Sequence, residues 1–190
     1  MKVLRLTLLT AFAAAYSTAG IITYDAALSA ANEAPPTVSP GIGFAIVTVD
    51  TILNTMEVNV TFSGLTSGNT AAHIHCCVAP GGNTGVATTV PTFTGFPSGS
   101  TAGSYDNIFD MTLASSYNPA FVTANGGTPS SAEAVLFAGL AAGTTYLNIH
   151  TTNFGGGEIR GFLTATPEPG TWLLALAGLG VLWAANRKLA

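Results

Sequence analysis

Strict alternation of apolar and polar side chains is clearest in Met56-Glu57-Val58-Asn59-Val60-Thr61-Phe62. Met56, Val58, Val60 and Phe62 fall on one face and Glu57, Asn59 and Thr61 on the other, which predicts a half-buried strand. Upstream, residues 44–49 are apolar on both faces, and the short connection from Asp50 to Asn54 predicts a hairpin between the two strands. An opening strand is expected over residues 21–29, ended by Pro35-Pro36 and Pro40-Gly41, and further strands fit residues 71–75, 104–112, 145–150 and 158–165. Helix is minor. Asn118-Pro119 followed by Gly126-Gly127 supplies a side-chain acceptor, a pre-set φ and a left-handed stop, so a short helix lies between them. A second turn or two is expected over residues 131–140, with Ser131 as cap and Gly139 or Gly143 near the end. Residues 79–103, rich in Gly, Pro, Thr and Ser, predict a long functional loop or two short strands with turns. The whole predicts an all-β fold, an antiparallel Greek-key sandwich or barrel with one or two short helices.

The two ends follow a different pattern. Lys2 and Arg5 precede or interrupt the apolar stretch 3–15, and Ser17-Thr18-Ala19 offers the small residues a signal peptidase needs, so residues 1–19 read as a signal peptide with a signal helix, cleaved before Gly20. Residues 167–190 begin Pro167-Glu168-Pro169, run apolar from Trp172 to Ala185 and end near Arg187-Lys188. As a helix, the apolar run reaches only roughly 22 Å, short of the ~30 Å hydrocarbon core, and is a poor permanent anchor. Positive charge retained on the cytoplasmic side puts the body outside. This tail resembles the PEP-CTERM sorting signal of Gram-negative bacteria, which the membrane protease exosortase reads. The resemblance implies transient membrane association through the tail, its removal, and release of the body to the outer surface or the exopolysaccharide matrix. A simple C-terminal membrane helix would leave the same face outward. Residues 20–166 then form one domain, large enough for a real core.

Charge is sparse, at 7% of the 190-residue chain. Within residues 20–166 the acids are Asp25, Glu33, Asp50, Glu57, Asp106, Asp110, Glu133 and Glu158, while Arg160 is the sole Lys or Arg. Such a body cannot neutralise a phosphate backbone, which excludes nucleic acid as a partner. Its Thr, Ser, Asn and Gly surface suits exopolysaccharide or other surface proteins.

Candidate chemistry centres on histidine. His73-Ile74-His75 places two imidazoles on one face of a strand, and Tyr146-Leu147-Asn148-Ile149-His150 places the third opposite Leu147 and Ile149. If the two strands are neighbours, His73, His75 and His150 converge as a ligand set for Cu or Zn. Cys76-Cys77 follows directly. Adjacent α-carbons stand about 3.8 Å apart across a trans peptide, below the usual ~4.4 Å limit for a disulfide, which leaves open a strained vicinal disulfide, a bridge to another molecule, thiolate ligands for soft Cu(I), or ordinary packing. Glu158 and Arg160 alternate around Ile159 and can share a face as an ion pair. No Gly-x-Ser-x-Gly, His-Glu-x-x-His or phosphate-binding glycine loop is present.

Five ordered motifs resemble the CHRD domain, the module named after chordin: Asn32-Glu33-Ala34-Pro35-Pro36, Ser63-Gly64-Leu65, Ala72-His73-Ile74-His75, Tyr146-Leu147-Asn148-Ile149-His150-Thr151 and Gly157-Glu158-Ile159-Arg160-Gly161. The resemblance implies a secreted β domain. Gly64-Leu65-Thr66-Ser67-Gly68, the His73/His75 pair, His150 and Arg160 are also similar in order to the copper ligands and substrate-guiding arginine of copper/zinc superoxide dismutases. That similarity implies His73, His75 and His150 as copper ligands and Arg160 as an anion-guiding cation. The family's bridging histidine and remaining zinc ligands have no counterpart, which leaves three-histidine copper binding. The expected function is therefore a non-enzymatic, exosortase-sorted surface or matrix protein with a copper site, and the alternative is a copper-dependent, dismutase-like oxidoreductase.

Overall fold

The computed structural model of the protein describes residues 20–166; the expected signal peptide and sorting tail lie outside the described residues. Eight strands form one antiparallel sheet: β1 (Ile21–Ser29), β2 (Ile42–Asp50), β3 (Thr55–Ser63), β4 (Asn69–Cys76), β5 (Gly103–Asp110), β6 (Thr145–Thr151), β7 (Ile159–Phe162) and β8 (Thr164–Ala165). Their order is β4-β6-β7-β1-β2-β3-β5, with β8 paired to β1. The alternation that marks β3 is realised in full: Met56, Val58, Val60 and Phe62 are buried while Thr61 and Ser63 are exposed. The β2–β3 hairpin keeps its turn through Asp50, whose carboxylate accepts from the amides of Ile52 at 2.8 Å and Leu53 at 2.9 Å. Asn54 closes that turn at φ 52°, a left-handed conformation that Asn tolerates better than most residues.

The sheet curls into a half-barrel around a core in which Tyr24, Leu28, Val47, Val58, Ile74, Leu147 and Ile149 meet. Its two edges, β4 and β5, are not paired to each other. Residues 77–102 run along the gap instead: the amides of Ala87 and Phe93 donate to the carbonyls of Ile74 (2.9 Å) and Ala72 (3.1 Å), and those of Leu65 and Asn69 to Thr101 (3.1 Å) and Ser100 (3.0 Å). Phe93 plugs the gap, its ring 5.5 Å from Phe109 and 5.9 Å from Tyr105. The predicted loop is thus a seam that completes the core, built without named strands.

Helix α1 (Pro119–Ala124) starts where expected, with Asn118 Oδ1 accepting from the Ala120 amide at 3.0 Å. Helix α2 (Pro129–Ala141) begins earlier than the sequence reading had it. Thr128 is its cap, and Ser131 is the third helical residue, closing a reciprocal capping box with Thr128. The single terminal strand expected over residues 158–165 is divided: β7 pairs with β6, and β8 pairs with β1 after an interruption at Leu163. Among the described residues no helix is long and apolar enough to cross a membrane.

Candidate metal centre

Because side chains alternate along a strand, the core-facing Ala72 and Ile74 of β4 turn His73 and His75 to the convex side of the sheet. The same logic turns Tyr146, Asn148 and His150 of β6 outward opposite Leu147 and Ile149. These strands are direct neighbours, with His73 across from Asn148, His75 from Tyr146 and Ala71 from His150. His150 therefore lies diagonal to His73, within reach of a long side chain.

This part of the convex face is not open sheet. Residues 31–37, 83–91 and 152–157 fold over it as a second polar layer, leaving His73 and His75 6% and 7% exposed. The covering chain supplies three carbonyls to the rings. Pro91 O lies 2.6 Å from His73 Nε2, Thr84 O 2.9 Å from His75 Nδ1, and Gly155 O 3.0 Å from His150 Nδ1. A carbonyl only accepts, so each contacted ring nitrogen carries the proton and the opposite one keeps its lone pair. Those opposite atoms, His73 Nδ1, His75 Nε2 and His150 Nε2, are buried without a hydrogen-bond partner. The three residues offer ligand atoms that all lie within 4.8 Å of one another. Ligands bonded at about 2 Å to one ion stand up to about 4 Å apart, so ring movements of less than an ångström would seat one. The residues present fit such a metal.

Protonation supports the same geometry. Burial pushes His73 down to about 4 against the opposing Pro91 bond, with His150 adding to the fall. Burial likewise pushes His75 to about 4 against its Thr84 bond, helped by His150, His73 and Arg160. His150 is lowered chiefly by burial. At neutral pH the trio is uncharged, the form in which imidazole ligates.

Cys76 and Cys77 are joined in a vicinal disulfide. Cys76 follows His75 and so turns to the opposite face, into the core. Of the fates the sequence left open for this pair, the vicinal disulfide is the one present; neither sulfur belongs to the ligand group, and the disulfide leaves no thiolate to serve as the additional metal ligands considered or to bridge to another molecule.

Arg160 also differs from expectation. It is 0% exposed, its Nε donating to Asn32 O at 2.5 Å and Nη1 to Asn83 Oδ1 at 2.6 Å, and it lies 3.8 Å from Glu33 Oε2. A guiding cation must be reachable by its substrate, and this one is sealed beneath the covering loops. Nor does it pair with Glu158. That carboxylate accepts from Ser39 Oγ (2.6 Å), Thr151 Oγ1 (2.6 Å), the Thr66 amide (2.6 Å) and Thr66 Oγ1 (3.1 Å). Burial alone would push its carboxyl up, but these bonds outweigh burial and hold it below the usual range. Glu33, poorer in donors, is pushed by burial to about 7 despite the nearby guanidinium. The Glu33 partnership joins residues more than a hundred positions apart and carries no local sequence signal.

An antiparallel half-barrel with a loop-covered polar layer and a convergent histidine trio defines a class of β domain. A family model for the CHRD domain matches residues 24–163, nearly all of the described body, and the chain belongs to that family. The PEP-CTERM protein-sorting motif matches residues 165–188, which marks an extracytoplasmic protein sorted by exosortase toward the cell surface. No curated protein and no solved structure gives a significant match.

Proposed function

We propose that this CHRD domain is a copper-binding, non-enzymatic protein of the outer surface or exopolysaccharide matrix of a Gram-negative bacterium, exported by an N-terminal signal peptide. The observation that carries the metal reading is the inward set of three unpartnered lone pairs, each fixed by a carbonyl on the far side of its ring. Three imidazoles with second-layer carbonyls suit Zn or Cu, and the general affinity order favours Cu among divalent ions. His73, His75 and His150 would hold the ion. Bound copper would supply Lewis acidity or a one-electron couple, and the chain's own part is to orient the rings and exclude bulk water. The sealed position of Arg160 favours binding over anion turnover. The test is elemental analysis and copper titration of the purified protein beside His75→Ala and His150→Ala variants. One copper per chain, lost in both variants and without superoxide removal, is the expected result. Absence of copper uptake by the unaltered protein overturns the metal reading, and histidine-dependent superoxide removal overturns the non-enzymatic one.

A further inference from the structure

The imidazole of His75 stacks on the ring of Tyr146, with centroids 4.7 Å apart and planes 7° from parallel. On the Tyr146 ring sits the guanidinium of Arg160, its Cζ 4.6 Å from the centroid, and the Phe162 ring lies 5.7 Å from the same atom. A candidate ligand, an aromatic ring and a buried cation thus form one column across β4, β6 and β7. A single carbonyl ties its upper half together: Thr84 O meets His75 Nδ1 at 2.9 Å and accepts from Tyr146 Oη at 3.3 Å.

The lower half is costly. Arg160 is the only Lys or Arg of residues 20–166 and is fully buried, with Nη2 unpartnered. Its single acidic neighbour, Glu33, carries Oε1 without a partner and is close to half neutral at pH 7. A buried, incompletely compensated charge is a poor stability device, because well-packed apolar side chains serve as well or better. What it provides is a fixed positive potential in a water-poor layer. That potential lies one aromatic ring away from a ligand: the Tyr146 ring is 4.6 Å from Arg160 Cζ and 4.7 Å from the His75 imidazole.

We propose that Arg160 is a positioning residue of the copper site, biasing the bound ion toward Cu(I) through the Tyr146–His75 column. This rests on the three-histidine copper reading. The trio is neutral and brings no negative charge, so the site's charge is that of the ion. Cu(II) carries one positive charge more than Cu(I), and the buried guanidinium repels it correspondingly more. Unit charges on the order of 10 Å apart at an effective dielectric of about 20 change an equilibrium constant roughly tenfold. Glu33 opposes this bias in the fraction of molecules where it is ionised.

The experiment measures Cu(I) and Cu(II) dissociation constants of the full chain by competition with chelators selective for each state, and the midpoint potential of the copper-loaded protein at an electrode that supplies the electron. Arg160→Gln is expected to lower the Cu(I)-over-Cu(II) preference about tenfold, equivalent to ~59 mV for a one-electron couple. Glu33→Gln retains Arg160, removes its counter-charge and is expected to shift the preference the opposite way. If Arg160→Gln does not fold, Glu33→Gln decides. Copper binding with an unmoved preference in the folded variants overturns the proposal and leaves the copper site standing; no copper binding by the unaltered chain overturns both.

Discussion

Gly139 of α2 lies directly against the Cys76–Cys77 disulfide: a Cβ at this position would stand 2.6 Å from Cys77 Sγ and 2.7 Å from Cys76 Sγ. The helix therefore docks on the strand end through a hydrogen atom, and the glycine first read as a helix-end signal is a packing residue. Gly139→Val forces α2 away from the sulfurs. Overpacking of this kind costs about 1–3 kcal/mol. A lowered urea midpoint with an unchanged m-value is the expected result, whereas Ala138→Ser, one position away, is expected to be near neutral.

The buried histidines make the fold acid-sensitive. An unfolded chain protonates His73 and His75 below about 6.5, but the folded chain does so only near 4. Between those values the unfolded state binds more protons, so stability falls as pH drops through the window. Each ring accounts for on the order of 3 kcal/mol at most. Glu33 acts with opposite sign: raised to about 7, it holds a proton in the folded state between about 4.5 and 7 and offsets about one of the two rings, so the net fall is about that of a single ring. Thermal melts from pH 7 to 4 should show a falling midpoint, and His73→Gln should flatten the profile.

Glu158 ties three separate segments together through Ser39, Thr66 and Thr151. Glu158→Ala strands the buried Thr151 hydroxyl and removes the acceptor that half-buried Ser39 and exposed Thr66 share with it. Bonds to a buried charge are among the stronger ones, and the expected loss is about 3 kcal/mol, measured by urea unfolding. A smaller loss in Glu158→Gln would show that shape, rather than charge, matters most there.

Copper should stabilise the folded body by linkage. At a free concentration about 100 times its dissociation constant the ion adds ~2.7 kcal/mol, readable as a higher melting midpoint. His150→Ala should abolish that gain while leaving the metal-free midpoint little changed, since His150 is only partly buried.

What could be read in advance divides along physical lines. The alternation in β3 and the His-x-His pair of β4 depend on period two alone, which local sequence states directly. Neighbouring positions of β4 and β6 were a condition in the sequence reading, and their register meets it. Arg160 resisted because its surroundings come from residues 32, 33 and 83, brought over β7 by loop folding that no periodicity encodes. The cap of α2 was misplaced for a related reason: Thr128 and Ser131 are both good cap residues, and only the reciprocal bonding between them shows which begins the helix. Residues 79–103 followed a packing demand, the open gap between β4 and β5, that exists only once the sheet has curled.

The burial of Arg160 has a consequence for survival outside the cell. Trypsin-like proteases choose their cleavage bond by seating a Lys or Arg side chain in an acidic pocket, and among the described residues the only such side chain is locked under Tyr146, Phe162 and the overlying loops. Digestive enzymes of that specificity, secreted by competitors or hosts, would find the folded exterior of residues 20–166 without a foothold.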